Sequence, residues 1–170
     1  MSKAQLKKEL ATMDADQLRE LILDVYSAKK EAKEYFEFFL NPDVKKLTEK
    51  VALAIYKEIN RSKHGTLVAR FSVILNMIKE YESFGVDAEQ VLRMMLTTLS
   101  LAVELERIYY SRPTFANGTV KLMFKTLEFA DRHGYFDKAI VHVDKAIQVA
   151  SSNLSLQMRE VLANYKVKLK

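Results

Sequence analysis

The chain is predicted to be all-α, and three observations carry that prediction. Only four Gly and two Pro occur among 170 residues. That is too few turn-formers for an all-β chain, which needs a turn roughly every 8–12 residues. These breakers fall between segments whose apolar residues recur at the three-four spacing of a helix face. With 49% apolar and 29% charged residues, the composition is that of a globular protein rather than a disordered one. At this length roughly 70% of the unfolded surface can be buried around one core, so residues 1–170 read as a single helical domain.

Capping and breaking signals divide the chain into helices at about 2–12, 14–28, 30–40, 42–61, 66–84, 87–110, 118–133, 135–150 and 153–166. Asp14-x-x-Gln17 and Asp87-x-x-Gln90 are capping boxes, in which the Asp and Gln side chains bond each other's backbone N–H groups. Asn41-Pro42 offers an N-cap followed by Pro at the first helical position, where its missing N–H costs nothing. Gly65, Gly85 and Gly134 stand where helices stop, as residues able to take the left-handed C′ conformation. Pro113 and Gly118 bracket the longest expected loop, Ser111 to Gly118.

Within the fourth segment Val44, Leu47, Val51, Ile55 and Ile59 form one apolar stripe, and Leu67, Phe71, Ile74, Leu75 and Ile78 do so in the fifth. The sixth is apolar on nearly every side, from Val91 through Leu96 and Leu99 to Leu105. A helix hydrophobic all round is expected to be buried all round, which places segment 87–110 at the centre. Its methionines read as core filler. Short connections make successive helices antiparallel.

Gly134-Tyr135-Phe136-Asp137-Lys138-Ala139-Ile140, continuing to Val149, resembles the second helix of a tetratricopeptide repeat. Ala139 and Ala146 supply the small residues seven apart that such a helix uses to approach its neighbour. The preceding helix departs from that pattern, with Leu127 where a small residue is expected and Ala130 where an aromatic is. No second copy appears at a period near 34 residues. The architecture implied is an array of about nine short antiparallel helices, stacked tetratricopeptide-like as a right-handed superhelix around a buried central helix.

A second resemblance lies near the start. Leu18-Arg19-Glu20-Leu21-Ile22-Leu23-Asp24-Val25-Tyr26, then Lys33-Glu34-Tyr35-Phe36-Glu37-Phe38-Phe39-Leu40-Asn41-Pro42, is similar to the opening of a family of small bacterial proteins known only as a domain of unknown function, the family numbered 6155. The similarity covers roughly the first third of the chain. It implies a bacterial, all-helical, stand-alone domain, and brings no reaction, cofactor or catalytic residue with it.

Much chemistry is excluded directly. With no Cys there are no disulfides, zinc ribbons or thiol nucleophiles. No phosphate-cradling loop, dinucleotide fingerprint or nucleophile elbow is present. His64 and His133 adjoin glycines in expected loops, and His142 is nine residues from His133 across a helix break, so no shared helix face forms a metal site. Glu104 and Glu106, two apart on a helix, point different ways. No catalytic residue, metal or cofactor is expected, and the chain reads as a non-enzyme. The start, Met1 to Lys8, is charged and amphipathic with no apolar signal core behind it. The most apolar run, Val91 to Val103, is shorter than the roughly 20 residues a membrane span needs. A soluble, cytoplasmic protein without a membrane partner is therefore expected.

The net charge of +5 is carried by the second and last quarters of the chain. At 100° per residue Lys46, Lys50, Lys57 and Arg61 fall within about 60° of one another, beside the apolar stripe. Lys63 extends this row, and Glu49 and Glu58 fall outside it. Such a row can track phosphates, although lysine stems lying over core residues produce the same pattern. The aromatic run Tyr35, Phe36, Phe38, Phe39 covers more than one helix face and offers a groove or dimer surface besides core packing. Tyr109-Tyr110-Ser111-Arg112 is a second polar-aromatic cluster. The leading reading is a helical interaction domain binding a protein or peptide, including a second copy of itself. The alternative is a nucleic-acid-associated protein using the basic row and the tail Lys166, Lys168 and Lys170.

Overall fold

A computed structural model describes residues 1–109 and 112–168. Tyr110, Ser111 and Lys170 lie outside the described residues, as does the side chain of Lys168. The structure is all-α: the described residues are 81% helical, and among them is one two-stranded hairpin. The helices fall into two compact units, residues 1–43 and 44–170.

In the first unit α1 (Lys3–Leu10) is opened by a capping box between Ser2 and Gln5, at 3.2 and 3.0 Å. The expected box opens α2 (Ala15–Ala28), with Gln17 N–H donating to Asp14 at 2.8 Å and Asp14 N–H to Gln17 at 3.1 Å. Lys29, in extended conformation, reverses the chain into α3 (Lys30–Leu40). Tyr26 ties the two helices together: its hydroxyl donates to Glu37 at 3.3 Å and its ring meets Phe36 at 6.5 Å.

The second unit runs α4 (Val44–Ile59), β1 (Ser62–Lys63), β2 (Thr66–Leu67), α5 (Phe71–Ser83), α6 (Ala88–Ile108), α7 (Pro113–Arg132), α8 (Phe136–Val149) and α9 (Ser152–Lys168). Each of α4–α9 packs against the next helix and the next but one. Two rows result, α4-α6-α8 and α5-α7-α9, as in a stack of helical hairpins. On α8 Ala139, Val143 and Ala146 are buried, and α8 lies against both α7 and α6. Small side chains on that face permit the close approach expected of it. Buried Thr98, Thr119 and Thr126 each donate to the carbonyl four residues back, at 2.7, 3.1 and 2.8 Å. Their hydroxyls are thus satisfied within their own helices, as burial requires. Tyr165 closes the α9 end, stacked on Phe136 at 5.9 Å and edge-on to Phe124 at 5.7 Å.

Five sequence expectations are corrected. Asn41-Pro42 does not open a helix, since α4 begins two residues beyond Pro42, at Val44. Gly65 does not terminate a helix; with His64 it makes a tight turn, both at positive φ (74° and 51°). That geometry suits a two-residue hairpin, and it pairs Ser62 with Leu67 and Lys63 with Thr66. Helix α5 therefore starts at Phe71 rather than near 66. The stretch up to Gly118 is no long loop: Pro113 is the first residue of α7, and Gly118 lies inside that helix. Helix α6 does lie centrally, touching α4, α5, α7 and α8, but it is not buried all round. Arg93, Thr97, Ser100 and Glu104 line an exposed face, and Leu96 and Leu101 are half-buried. Finally, Asp87 caps α6 by accepting from Glu89 N–H at 2.8 Å instead of through a reciprocal box with Gln90.

Candidate interaction surfaces

The predicted basic row is only partly a row. Lys46, Lys50 and Lys57 are exposed on α4, with exposed Leu53 between them in helical phase and Tyr56 alongside. Lys46 and Lys50 each take part in an interaction within the chain. Arg61 lies past the end of α4, where the helical extrapolation fails, and its guanidinium stands 3.9 Å from Glu58.

Glu58 is the unexpected residue of this region. Its position is in phase with Val51 and Ile55 on the core stripe, and it is only 8% exposed. One carboxylate oxygen accepts from the Arg70 backbone N–H and Nε, both at 2.9 Å, and the other accepts from Nη2 at 2.7 Å. This fork, with a carboxylate at the start of α5, is favoured by both bidentate geometry and the helix dipole. It clamps the end of α4 to the beginning of α5 across the β-hairpin. The Arg70 bonds hold the Glu58 carboxyl below its ordinary value of 4.5, outweighing the opposing effect of burial. A lowered folded-state pKa means stability that is intact above the unfolded value and lost as pH falls through the folded one. Glu58→Gln is expected to cost about 1 kcal/mol near neutrality and to reduce the loss of stability below pH 4.5. Urea unfolding of both proteins across that range checks it; parallel pH profiles would remove the assignment.

The aromatic run lies on α3, with Tyr35 and Phe39 exposed and Phe36 and Phe38 half-buried. No residue of α1, α2 or α3 is buried. Leu21, Ile22 and Val25 of α2 are exposed, as are Tyr35, Phe39 and Leu40 of α3, with Phe39 at 69%. Within α3, Tyr35 is stacked with Phe39 at 6.5 Å and edge-on to Phe36 at 5.9 Å.

A cleft of about 360 Å³ lies between α6 and α8, with Leu92 and Leu96 among its lining residues. Arg93, Thr97 and Ser100 line one side, Lys138 and His142 the other, and Lys138 pairs with Glu89 at 3.1 Å. The three histidines stay apart: His64 in the hairpin turn, His133 at the end of α7 against Phe129 (4.4 Å), and His142 in the cleft. Among the described residues no group of three or more His, Cys, Asp or Glu is arranged to hold a metal. No described helix is long and apolar enough to cross a membrane.

No curated protein and no solved structure matches the chain. A family match does exist, and it is far longer than the opening motif that suggested it, running over residues 1–149, from before α1 to the end of α8. The chain belongs to this family, which is described as a family of unknown function, DUF6155.

Proposed function

We propose that the chain is a non-enzymatic interaction protein of the cytoplasm whose partner is a protein or peptide, a second copy included. The observation that supports this most is the α2–α3 hairpin. A unit of about 40 residues rarely buries enough apolar surface to stand alone, and this one buries no residue at all. Exposed apolar side chains in this number, on both α2 and α3, favour an interaction site, and an aromatic side chain such as Phe39 suits an interface anchor. The stacked hairpins of α4–α9, with their small-residue contact on α8, fit a tetratricopeptide-like scaffold for such a role.

The test is Val25→Glu combined with Phe39→Glu, two exposed positions whose change leaves the core intact. Self-association is read by sedimentation over a concentration series, and other partners by affinity capture from native extract with and without nuclease. A complex that survives nuclease and is lost in the double variant supports the reading. Capture that disappears with nuclease would favour the alternative, a nucleic-acid-associated protein. That alternative draws support from Tyr56 and Leu53 exposed among Lys46, Lys50 and Lys57, since bases stack on exposed aromatics beside cations.

A further inference from the structure

A second groove, between α5 and α7, has a different character from the surfaces described above. Its α5 wall presents Asn76, Lys79 and Glu82, and its α7 wall Lys121, Lys125 and Arg132. The floor is apolar: Ile78, Met95 from α6, and Phe129, all buried. The space measures about 330 Å³, the low end of the usual ligand-pocket range, with room for one or two apolar side chains.

The charge of this groove is one-sided. Lys125 is paired with Glu128 at 2.6 Å, and Arg132 lies over the Phe129 ring at 5.9 Å. Among the described residues Lys79 and Lys121 form no ion pair. Glu82 is the single carboxylate among the lining residues. From Lys121 to Arg132 the α7 wall runs about 16 Å, three turns of helix.

We infer that the α5–α7 groove docks an acidic amphipathic helix, its apolar stripe seated on half-buried Leu75 above the Ile78, Met95 and Phe129 floor and its carboxylates facing Lys79, Lys121 and Arg132. Helix-in-groove recognition uses this division, with apolar anchors spaced three and four apart supplying area and flanking charge supplying selection. Nucleic acid fits less well. Phe129, the aromatic residue of the groove, is buried in its floor and offers no face on which a base could stack. The inference rests on the chain being a binder of protein segments, but on a surface separate from the α2–α3 hairpin.

The test uses the full chain and a fluorescein-labelled amphipathic peptide of about five helical turns, with Leu at helical three-four spacing and Glu and Gln elsewhere. Its Leu/Lys counterpart, a Ser-for-Leu version and oligo(dT) are the comparison probes. The acidic peptide should bind, and Lys79→Glu with Lys121→Glu should weaken it about tenfold or more. Lys46→Glu with Lys57→Glu, on α4, should leave it unchanged, and so should the Val25→Glu, Phe39→Glu pair. Loss of binding in that last pair alone would move the site to the hairpin and overturn the groove while sparing the interaction reading. No binding of the acidic peptide, or equal binding of the Leu/Lys or Ser-for-Leu peptide, would also overturn it. Tighter binding of oligo(dT), lost in Lys79→Glu, Lys121→Glu, would make the groove a phosphate track instead.

Discussion

Leu99→Ala is expected to destabilise the protein by about 2–5 kcal/mol, the range for a Leu whose cavity cannot collapse. Leu99 is 1% exposed on the helix that touches four others, α4, α5, α7 and α8. Neighbours held from several sides relax little, so the transfer loss and the cavity loss add. Leu96, one turn earlier, is half-buried and borders the open α6–α8 cleft. There solvent can fill the space left by truncation, and Leu96→Ala should cost clearly less. The measurement is the urea midpoint at constant slope. Equal effects at the two positions would mean that α6 is buried evenly round its circumference, contrary to the exposed face formed by Arg93, Thr97, Ser100 and Glu104.

That contrast shows where composition alone misleads. The apolar count of α6 was readable and placed it centrally, but Arg93, Thr97, Ser100 and Glu104 recur at four, three and four residues, a polar stripe as regular as the apolar one. Counting apolar residues obscured the phase of the few polar ones. The hairpin at 62–67 was missed for a related reason. Gly65 satisfies both a helix C′ position and a tight turn, and only the run His64-Gly65 between two short segments distinguishes them. Pro113 was read as a breaker, although Pro at the first helical position starts a helix as readily as it ends one.

The candidate surfaces were legible to different degrees. The aromatics at 35–39 exceed what one helix face can bury, a pattern that leaves core packing and a surface both open; Tyr35 and Phe39 are exposed and Phe36 and Phe38 half-buried. Glu58 lies off the basic row, and its phase with Val51 and Ile55 places a charge on the core side. Such a residue needs a partner, and the sequence offers no way to choose Arg70 over other cations before the hairpin is known. The α5–α7 groove was invisible for the same reason. Its cations come from two helices, Lys79 and Lys121 standing more than 40 residues apart in the chain, and no periodicity within either helix relates them. The Ser2-x-x-Gln5 box, by contrast, is local, and its spacing is legible in the sequence.

Gly118→Ala is expected to destabilise the protein by about 2 kcal/mol, although the same change at an open helix position would stabilise it. Gly118 lies inside α7, where replacing Gly by Ala ordinarily gains about 1 kcal/mol of helix propensity. Here a Cβ would stand 2.2 Å from Cδ2 and 2.5 Å from Cγ of Phe71, far inside van der Waals contact. The Phe71 ring cannot readily withdraw. It is 6% exposed, sits at the first residue of α5, and packs edge-on against Phe115 with centroids 5.2 Å apart. Overpacking of this kind typically costs up to about 3 kcal/mol, which the propensity gain offsets only in part. Phe71→Leu shortens the side chain facing Gly118 and should itself lose stability through a cavity. In the double variant the added methyl group would occupy part of that cavity, so the two losses should sum to more than the combined effect by about 1–2 kcal/mol. Strict additivity, or a Gly118→Ala protein more stable than the parent, would show that Phe71 does not fill the space of the missing side chain and that α5 and α7 meet less closely than described.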